Sequence, residues 1–458
     1  MRNFMRRYIG DKDFYVMVLR VTIPIMIQQA ITNFVSLLDN IMVGQIGTAQ
    51  MSGVAIANQL IFVFNICVFG AVSGAGIFGA QFYGKGDHEG LRDTFRFKVL
   101  VCLVLSLIAM ALFWTQSDLL INLYLKGEAD VTDVTEVLRS GKEYLWIMIP
   151  GIIPFAWTQC YASTLKETGE TVLPMKAGVT AVAVNLIFNY ILIFGKFGFP
   201  ALGIAGAAIG SSLAELVSLL FFILYTRSRI DCRKYGLDRI PKFRLDVLKR
   251  MLNVSFWTMI QNFFSLSTWF LFFLYVEHLG ERSLAVTNIV RNVSGILFMV
   301  LMAFASTCGS LVSNLIGAGH SDCVAGTIRQ HVRIAYVFVL PLALLFAVFP
   351  KLILGIYTDI PDLQDAAVHS LWVMCSTYLF LVPANVYFQA VSGTGNTRTA
   401  LGMELATLVI YTAYITYIIL ILQLDVAICW TSEMVYSSFI LIFCWLYIKR
   451  GNWQGRKI

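Results

Sequence analysis

The sequence predicts an all-α membrane protein with twelve transmembrane helices arranged as two parallel six-helix repeats. Three observations lead there. Of the 458 residues, 58% are hydrophobic and only 13% charged, with a mean hydropathy of +0.74, so the two or three soluble domains suggested by length do not apply. Apolar runs read with a window of about 19 residues number twelve. The sequence also repeats itself at an offset of 233.

The runs lie near 14–44, 53–80, 96–115, 143–165, 172–194, 201–226, 250–277, 285–312, 331–356, 366–391, 399–422 and 426–448. The chain starts with the basic Met1-Arg2-Asn3-Phe4-Met5-Arg6-Arg7, which leads into a full-length span without a small-residue cleavage site. No signal peptide is expected to be removed. The connections alternate in charge. One side holds Arg2, Arg6, Arg7 and Lys12, then Lys85, Arg92, Arg96 and Lys98, then Lys166 and Lys176, the segment 227–249, Arg329, Arg333, Arg398 and the tail, in all 26 of the 34 basic residues when Arg250 is included. The other side has Lys126, Arg139, Lys142, Lys196, Arg282 and Lys351. This asymmetry places both termini in the cytoplasm of a multi-pass protein of the cell's inner (plasma) membrane, as an even number of spans also requires of two termini sharing a side. The net charge of +7 is thereby a topology signal, and no nucleic-acid partner is expected. None of the nine cysteines falls on the outer side, where disulfides form, and no CxxC or Cys/His spacing suggests a metal.

Sliding the sequence by 233 superimposes Met26-Ile27-Gln28 on Met259-Ile260-Gln261, Gly47 on Gly280, Ser73 on Ser306, Gly76 on Gly309, Gly84 on Gly317 and Gly86 on Gly319. Thr168-Gly169-Glu170-Thr171 then matches Thr394-Gly395-Asn396-Thr397 at an offset of 226. Helices one to six thus map onto seven to twelve, and because six is even the matching helices cross in the same direction. Such parallel repeats are related by an axis along the membrane normal, with a cavity expected between them. The domains follow as an amino-terminal lobe 1–226, a basic cytoplasmic linker 227–249 that contains Pro241 and meets anionic lipid heads, and a carboxyl-terminal lobe 250–458.

One stretch organises the chemistry. In Phe34-Val35-Ser36-Leu37-Leu38-Asp39-Asn40-Ile41-Met42-Val43-Gly44 a single carboxylate interrupts the first apolar run. An ionisable group in hydrocarbon costs a few kcal/mol or more, so it marks an ion or proton pathway unless it is a solvated helix end. Asp39 lies 19 residues beyond Arg20, about 28 Å at the helical rise, which puts it in the outer third of the bilayer. At the 233 offset its place is taken by Phe272, and the seventh span contains no acid, so its partners are sought in the first half. Asn185 and Asn189 on the fifth span are spaced i, i+4 and share a face about 20 and 26 Å into the membrane. Ser211 on the sixth span reaches a similar level. A carboxylate with amide and hydroxyl oxygens suits Na⁺ and equally a proton on Asp39, while the asparagines could instead only join helices by hydrogen bonds.

These residues resemble the multidrug and toxic compound extrusion (MATE) family over essentially the whole chain. The resemblance rests on Leu38-Asp39-Asn40-Ile41-Met42-Val43-Gly44, on Gln81-Phe82-Tyr83-Gly84-Lys85-Gly86-Asp87, and on Gly169-Glu170-Thr171 with Pro174-Met175. It extends through Asn185-Leu186-Ile187-Phe188-Asn189-Tyr190 and the run Gly203 to Ala208. It implies V-shaped lobes around a central cavity and a secondary antiporter that extrudes organic, often cationic compounds in exchange for Na⁺ or H⁺. The ion site it implies lies in the amino-terminal lobe, at Asp39, Asn185, Asn189 and Ser211, with Na⁺ at the first three as one option and no other cofactor. The chain departs from one branch of the family, which has aspartate and proline where Asn189-Tyr190 stands, and from another with carboxylates on the seventh and tenth helices. The coupling ion stays open between H⁺ and Na⁺.

Other polar or soft residues at membrane depth are candidates for a substrate cavity: Gln28, Gln261, Trp257, Met259, Glu215 and Glu433. Each has a packing or interfacial alternative. The expected partners are a small organic substrate and membrane lipid, with the chain acting as a monomer. A flippase for a lipid-linked precursor is the alternative, disfavoured by the count of twelve spans and by Arg291 being the one basic residue of the middle helices. A membrane-embedded enzyme is not expected, since no HExxH, GxSxG or P-loop pattern occurs.

Overall fold

The computed structural model describes residues 12–125, 134–229, 245–451 and 453. Arg2, Arg6, Arg7, Lys126, Cys232, Pro241 with most of the segment 227–249, and the tail residues Arg456 and Lys457 lie outside the described residues. Each expected span is a helix: α1 Lys12–Gly44, α2 Thr48–Lys85, α3 His88–Thr115, α4 Val134–Glu167, α5 Val172–Phe194, α6 Ile204–Arg229, α7 Leu245–Glu277, α8 Glu281–Gly317, α9 Val324–Val348, α10 Pro361–Gly393, α11 Thr397–Ile415 and α12 Thr431–Arg450. All twelve are long and apolar enough to cross a bilayer, and no strand occurs among the described residues. In hydrocarbon every backbone N–H and C=O must find its partner within the segment, which helix alone provides for a single apolar run. Large apolar side chains such as Leu224 (65% exposed) and Val409 (71%) stand on the outer faces, as a lipid solvent permits.

The repeat is visible in the element boundaries. Helix starts at Thr48 and Glu281, at His88 and Ser321 (a short 3₁₀ turn leading into α9), and at Ser117 and Pro350 (short helices Ser117–Leu125 and Pro350–Leu354) are all related by 233. The turns repeat as well. Gly86 and Gly319 have φ of 77° and 82°, and Gly169 and Gly395 have φ of 81° and 84°, left-handed conformations that glycine adopts without strain.

The compact units do not follow the 1–226 and 250–458 division. One comprises Met1–Ile23, Ala80–Gly86 and Phe256–Ile458, the other Pro24–Gly79 and Asp87–Ser255. The cause is a reciprocal seating of the two leading helices. Within the first unit, Thr22 Oγ1 on α1 donates to Thr307 Oγ1 on α8 at 3.2 Å, and the Phe14 ring stands edge-on to His331 of α9 with centroids 5.4 Å apart. Within the second, Ser255 Oγ on α7 donates to the Ala71 carbonyl of α2 at 3.0 Å. Thr22 and Ser255 are themselves 233 apart, so each half lends the start of its first helix to the other.

A second reciprocal contact joins the ends of α2 and α8 inside the first unit. A Cβ on Gly84 would stand less than 3.0 Å from the Asn314 carbonyl oxygen, and one on Gly317 equally close to that of Gln81. Positions 81 and 84 map onto 314 and 317 by the same offset. Backbone cannot yield as a side chain can, so Gly84→Ala and Gly317→Ala are each expected to cost about 1–3 kcal/mol. Thermal unfolding of the detergent-solubilised protein reads this as a lowered Tm; Gly326→Ala, whose Cβ enters open space, leaves Tm unchanged.

In the other unit α3 and α4 are tied by a buried ion pair. Lys98 (1% exposed) meets Glu167 (4%), and its Nζ also donates to Ser163 Oγ and Thr164 Oγ1, both at 3.1 Å. Ser163 Oγ donates to Glu167 Oε1 at 2.6 Å. Gly76 and Gly79 of α2 make room, since a Cβ on either would collide with the Glu167 carboxylate. Lys98, counted among the charges that flank the spans, is therefore an interior residue with a partner.

Candidate functional site

Asp39 lies five residues before the end of α1, Asn189 five before the end of α5, and Ser211 seven after the start of α6. α5 and α6 pack along each other because Gly206 and Gly210, spaced i, i+4, open a groove on α6. A Cβ on Gly206 would stand 2.6 Å from the Leu192 carbonyl, and one on Gly210 would overlap the Asn189 side-chain oxygen. This close approach sets Asn185 (8% exposed) and Asn189 (1%) against the half-buried Asp39.

Asn189 Nδ2 donates to Asp39 Oδ1 at 2.8 Å. Asn185 spans the gap between Asp39 and Ser211. With its nitrogen toward Asp39 it donates to the two carboxylate oxygens at 2.9 and 3.1 Å, while its oxygen accepts from Ser211 Oγ at 3.1 Å. Turned over, the amide would set its oxygen against the carboxylate oxygens. Oxygen against carboxylate oxygen is repulsive, and a proton on Asp39 or a small cation between them relieves it. The amide setting and the charge state of the site are thus linked. Asn189 Oδ1 faces Gly210 of α6, buried with no donor among the described residues.

All four residues expected at the ion site are therefore brought together. Two more join them that the sequence did not single out: buried Tyr144 of α4, beside Ser211 and Asn58 and within electrostatic reach of Asp39, and exposed Asn58 of α2. As residue types common in any span, neither announced itself. The set holds an ionised carboxylate as it stands, and a proton once the Asn185 amide turns its oxygen to Asp39. It fits Na⁺ once the amide oxygens are turned inward, since a hard cation takes several oxygen ligands. Among the described residues no group of three or more His, Cys, Asp or Glu suggests a multivalent metal.

The cavity candidates have separate surroundings. Gln28 packs against Gly178 of α5, and Glu215, one turn beyond Ser211, makes no hydrogen bond or ion pair among the described residues. In the other unit the Trp257 ring lies under the Arg398 guanidinium at 5.2 Å, so its face is already taken by a cation. Gln261 is buried with its side-chain oxygen lacking a donor, Met259 is half-buried, and Glu433 accepts from Tyr411 at 3.4 Å. An acid that the sequence reading passed over, Glu404 of α11, is fully buried. Its signal was legible as a carboxylate inside the apolar run 399–422.

Gly210→Ala gives a test of the site's geometry. The added methyl displaces Asn189 from Asp39, and transport is expected to fall at least tenfold, the equivalent of about 1.4 kcal/mol, with little change in expression or elution profile. Substrate efflux from vesicles checks it.

Comparison with known proteins agrees with the twelve-helix fold. The MatE family model matches residues 24–191 and 258–444. A probable multidrug resistance protein NorM of Thermotoga maritima is 27% identical over 446 residues, covering 96% of this chain and 93% of its own. One of the same description from Bacillus subtilis is 25% identical over 356 residues, 77% of each chain. Among solved structures, the outward-facing conformation of a multidrug resistance MATE family transporter of the MOP superfamily superimposes with a TM-score of 0.84 at 18% identity over 99% of both chains. A MATE crystallised in complex with MaD3S gives 0.84 at 18% identity over 97% and 98%. With its two matched segments spanning most of its length, its repeated six-helix halves and its whole-chain relatives, the chain belongs to the MatE, or multidrug and toxic compound extrusion, family.

Proposed function

We propose that the protein is a secondary active antiporter that exports organic, cationic or amphipathic compounds across the plasma membrane by alternating access, in exchange for H⁺ or Na⁺, with both termini in the cytoplasm. The observation that carries the ion-coupling reading is the carboxyl group of Asp39 enclosed by the amides of Asn185 and Asn189, with Asn185 linked on to Ser211. Relatives named as multidrug resistance proteins support the substrate class.

Among the described residues Asp39 has only neutral donors around it, so its charge is compensated by dipoles until a cation or proton arrives. Occupancy then releases the donors that were committed to the carboxylate, and Asn185 turns toward Ser211. An ion drives a conformational cycle only through different affinities for the two states, and a shell drawn from α1, α5 and α6 senses any change in how these helices meet. The test is efflux of a fluorescent organic cation from proteoliposomes, measured with and without Na⁺ at fixed pH and again with an imposed pH gradient at fixed Na⁺. Acceleration by either gradient identifies the coupling ion; indifference to both refutes antiport.

A further inference from the structure

The second half of the chain holds a polar cluster that the Asp39 site does not use. Glu404 on α11 is 0% exposed. Ser265 Oγ of α7 donates to its Oε1 at 2.9 Å, and Tyr436 OH of α12 donates to the same oxygen at 2.7 Å. Oε2 is buried and has no hydrogen-bond partner, and no ion pair reaches the carboxyl group among the described residues. The titratable groups around it are Tyr411 on its own helix and Tyr436, Glu433 and Cys444 on α12, with Tyr378 of α10 acting on Glu433; α7 contributes Ser265. None of these supplies a positive charge.

An ionised carboxylate buried this way would be uncompensated, at a cost of several kcal/mol, whereas a neutral acid leaves only one O–H to place. The oxygen without donors is where that proton belongs, because both donors are spent on the other. A second acid acts on the same tyrosine, Tyr436. Glu433, in the first turn of α12, is half-buried and accepts from Tyr411 OH at 3.4 Å. The Tyr411 and Tyr436 rings meet edge to face with centroids 6.0 Å apart. Two tyrosine hydroxyls thus stand between a half-buried carboxyl and a sealed one, each bonded to one of the two acids.

We propose that Glu404 is a second proton-binding site, contained in the second half of the chain and loaded from solution through Glu433 and the hydroxyls of Tyr411 and Tyr436. Each hydroxyl gives up its own proton and takes the next, so the O–H lost at Glu433 reappears at Glu404 Oε1, the oxygen that Tyr436 touches, and a half-turn of the carboxyl carries it to the Oε2 position, with no change of oxidation state. The helices that build it, α7, α11 and α12, are the repeat equivalents of α1, α5 and α6. At the 226 offset Tyr411 stands where Asn185 does, and Glu404 where Gly178 does, two turns away along the helix. Each half thus carries its acid on a different member of the same helix trio, which is why aligning Asp39 with Phe272 does not disclose it.

Infrared difference spectra of the full-length protein in lipid, recorded as pH is stepped, read buried neutral carboxylic acids through their carbonyl stretch. The Asp39→Asn background removes the first site, so the fate of Glu404 is independent of the antiport reading. A titrating acid band is expected there, lost in Asp39→Asn/Glu404→Gln, moved in frequency in Asp39→Asn/Glu404→Asp, and equal in NaCl and KCl. The aspartate variant keeps the acid and decides the matter if the glutamine variant does not fold. Persistence of an unaltered band in both Glu404 variants, its absence from the background protein, or its removal by NaCl, which would mark a Na⁺ site, overturns the proposal. Glu433→Gln is expected to slow the appearance of the band after a pH jump at least tenfold; an unchanged rate overturns loading through Glu433.

Discussion

Asp39→Asn is expected to abolish ion-coupled efflux while leaving the protein folded. The substituted amide keeps an oxygen for Asn189 Nδ2, which now bonds Asp39 Oδ1 at 2.8 Å, so the contact among α1, α5 and α6 is preserved. What disappears is the charge that a proton or Na⁺ neutralises. Moving a two-state equilibrium from one side to the other takes roughly 5.5 kcal/mol of differential binding, and a neutral side chain offers a small cation almost none of it. In proteoliposomes with an imposed H⁺ or Na⁺ gradient, efflux of an organic cation should fall to the level of empty vesicles, while the elution profile matches the unsubstituted protein. Undiminished transport by this variant removes Asp39 from the mechanism.

The second large effect concerns stability. Lys98→Ala takes the ammonium from a carboxylate that stays buried, and breaking one side of such a pair costs about 3 kcal/mol or more. Lys98 also satisfies Ser163 and Thr164, so three acceptors lose a donor at once. Lys98→Met with Glu167→Gln removes both charges at nearly constant volume and is expected to recover most of the loss, because the net worth of a buried pair over neutral groups is small. Thermal unfolding in detergent measures both variants. Equal Tm values for Lys98→Ala and the double variant would show that the ion pair is not what matters there.

How much of this was legible in the sequence follows from which forces act locally. The spans were readable because hydrocarbon imposes a length and an apolarity on each helix separately, so no knowledge of neighbours is needed. The repeat was readable from a few glycines, and the left-handed turns at Gly86, Gly319, Gly169 and Gly395 show why those residues stand where they do. Asn185 and Asn189 were matched to Asp39 by helical spacing and depth alone. Tyr144 and Asn58 were not, because which of many polar residues on α2 and α4 turns toward α1 is decided by packing between helices. Lys98 was misread for the same reason: a basic residue near the end of a span is usually solvated, and its burial depends on Glu167, 69 residues away. The unit boundaries were hidden by the seating of Thr22 on α8 and Ser255 on α2, since an offset in sequence reveals equivalence and says nothing of who touches whom.

That exchange of leading helices bears on how the chain is made. Thr22 finds its hydroxyl partner 285 residues further on, and Gly84 meets the backbone of Asn314, so during synthesis these surfaces enter the bilayer long before their counterparts have been translated. The early part of the chain must wait in lipid with unfilled seats, and a fragment that stops before α8 has no way to complete them.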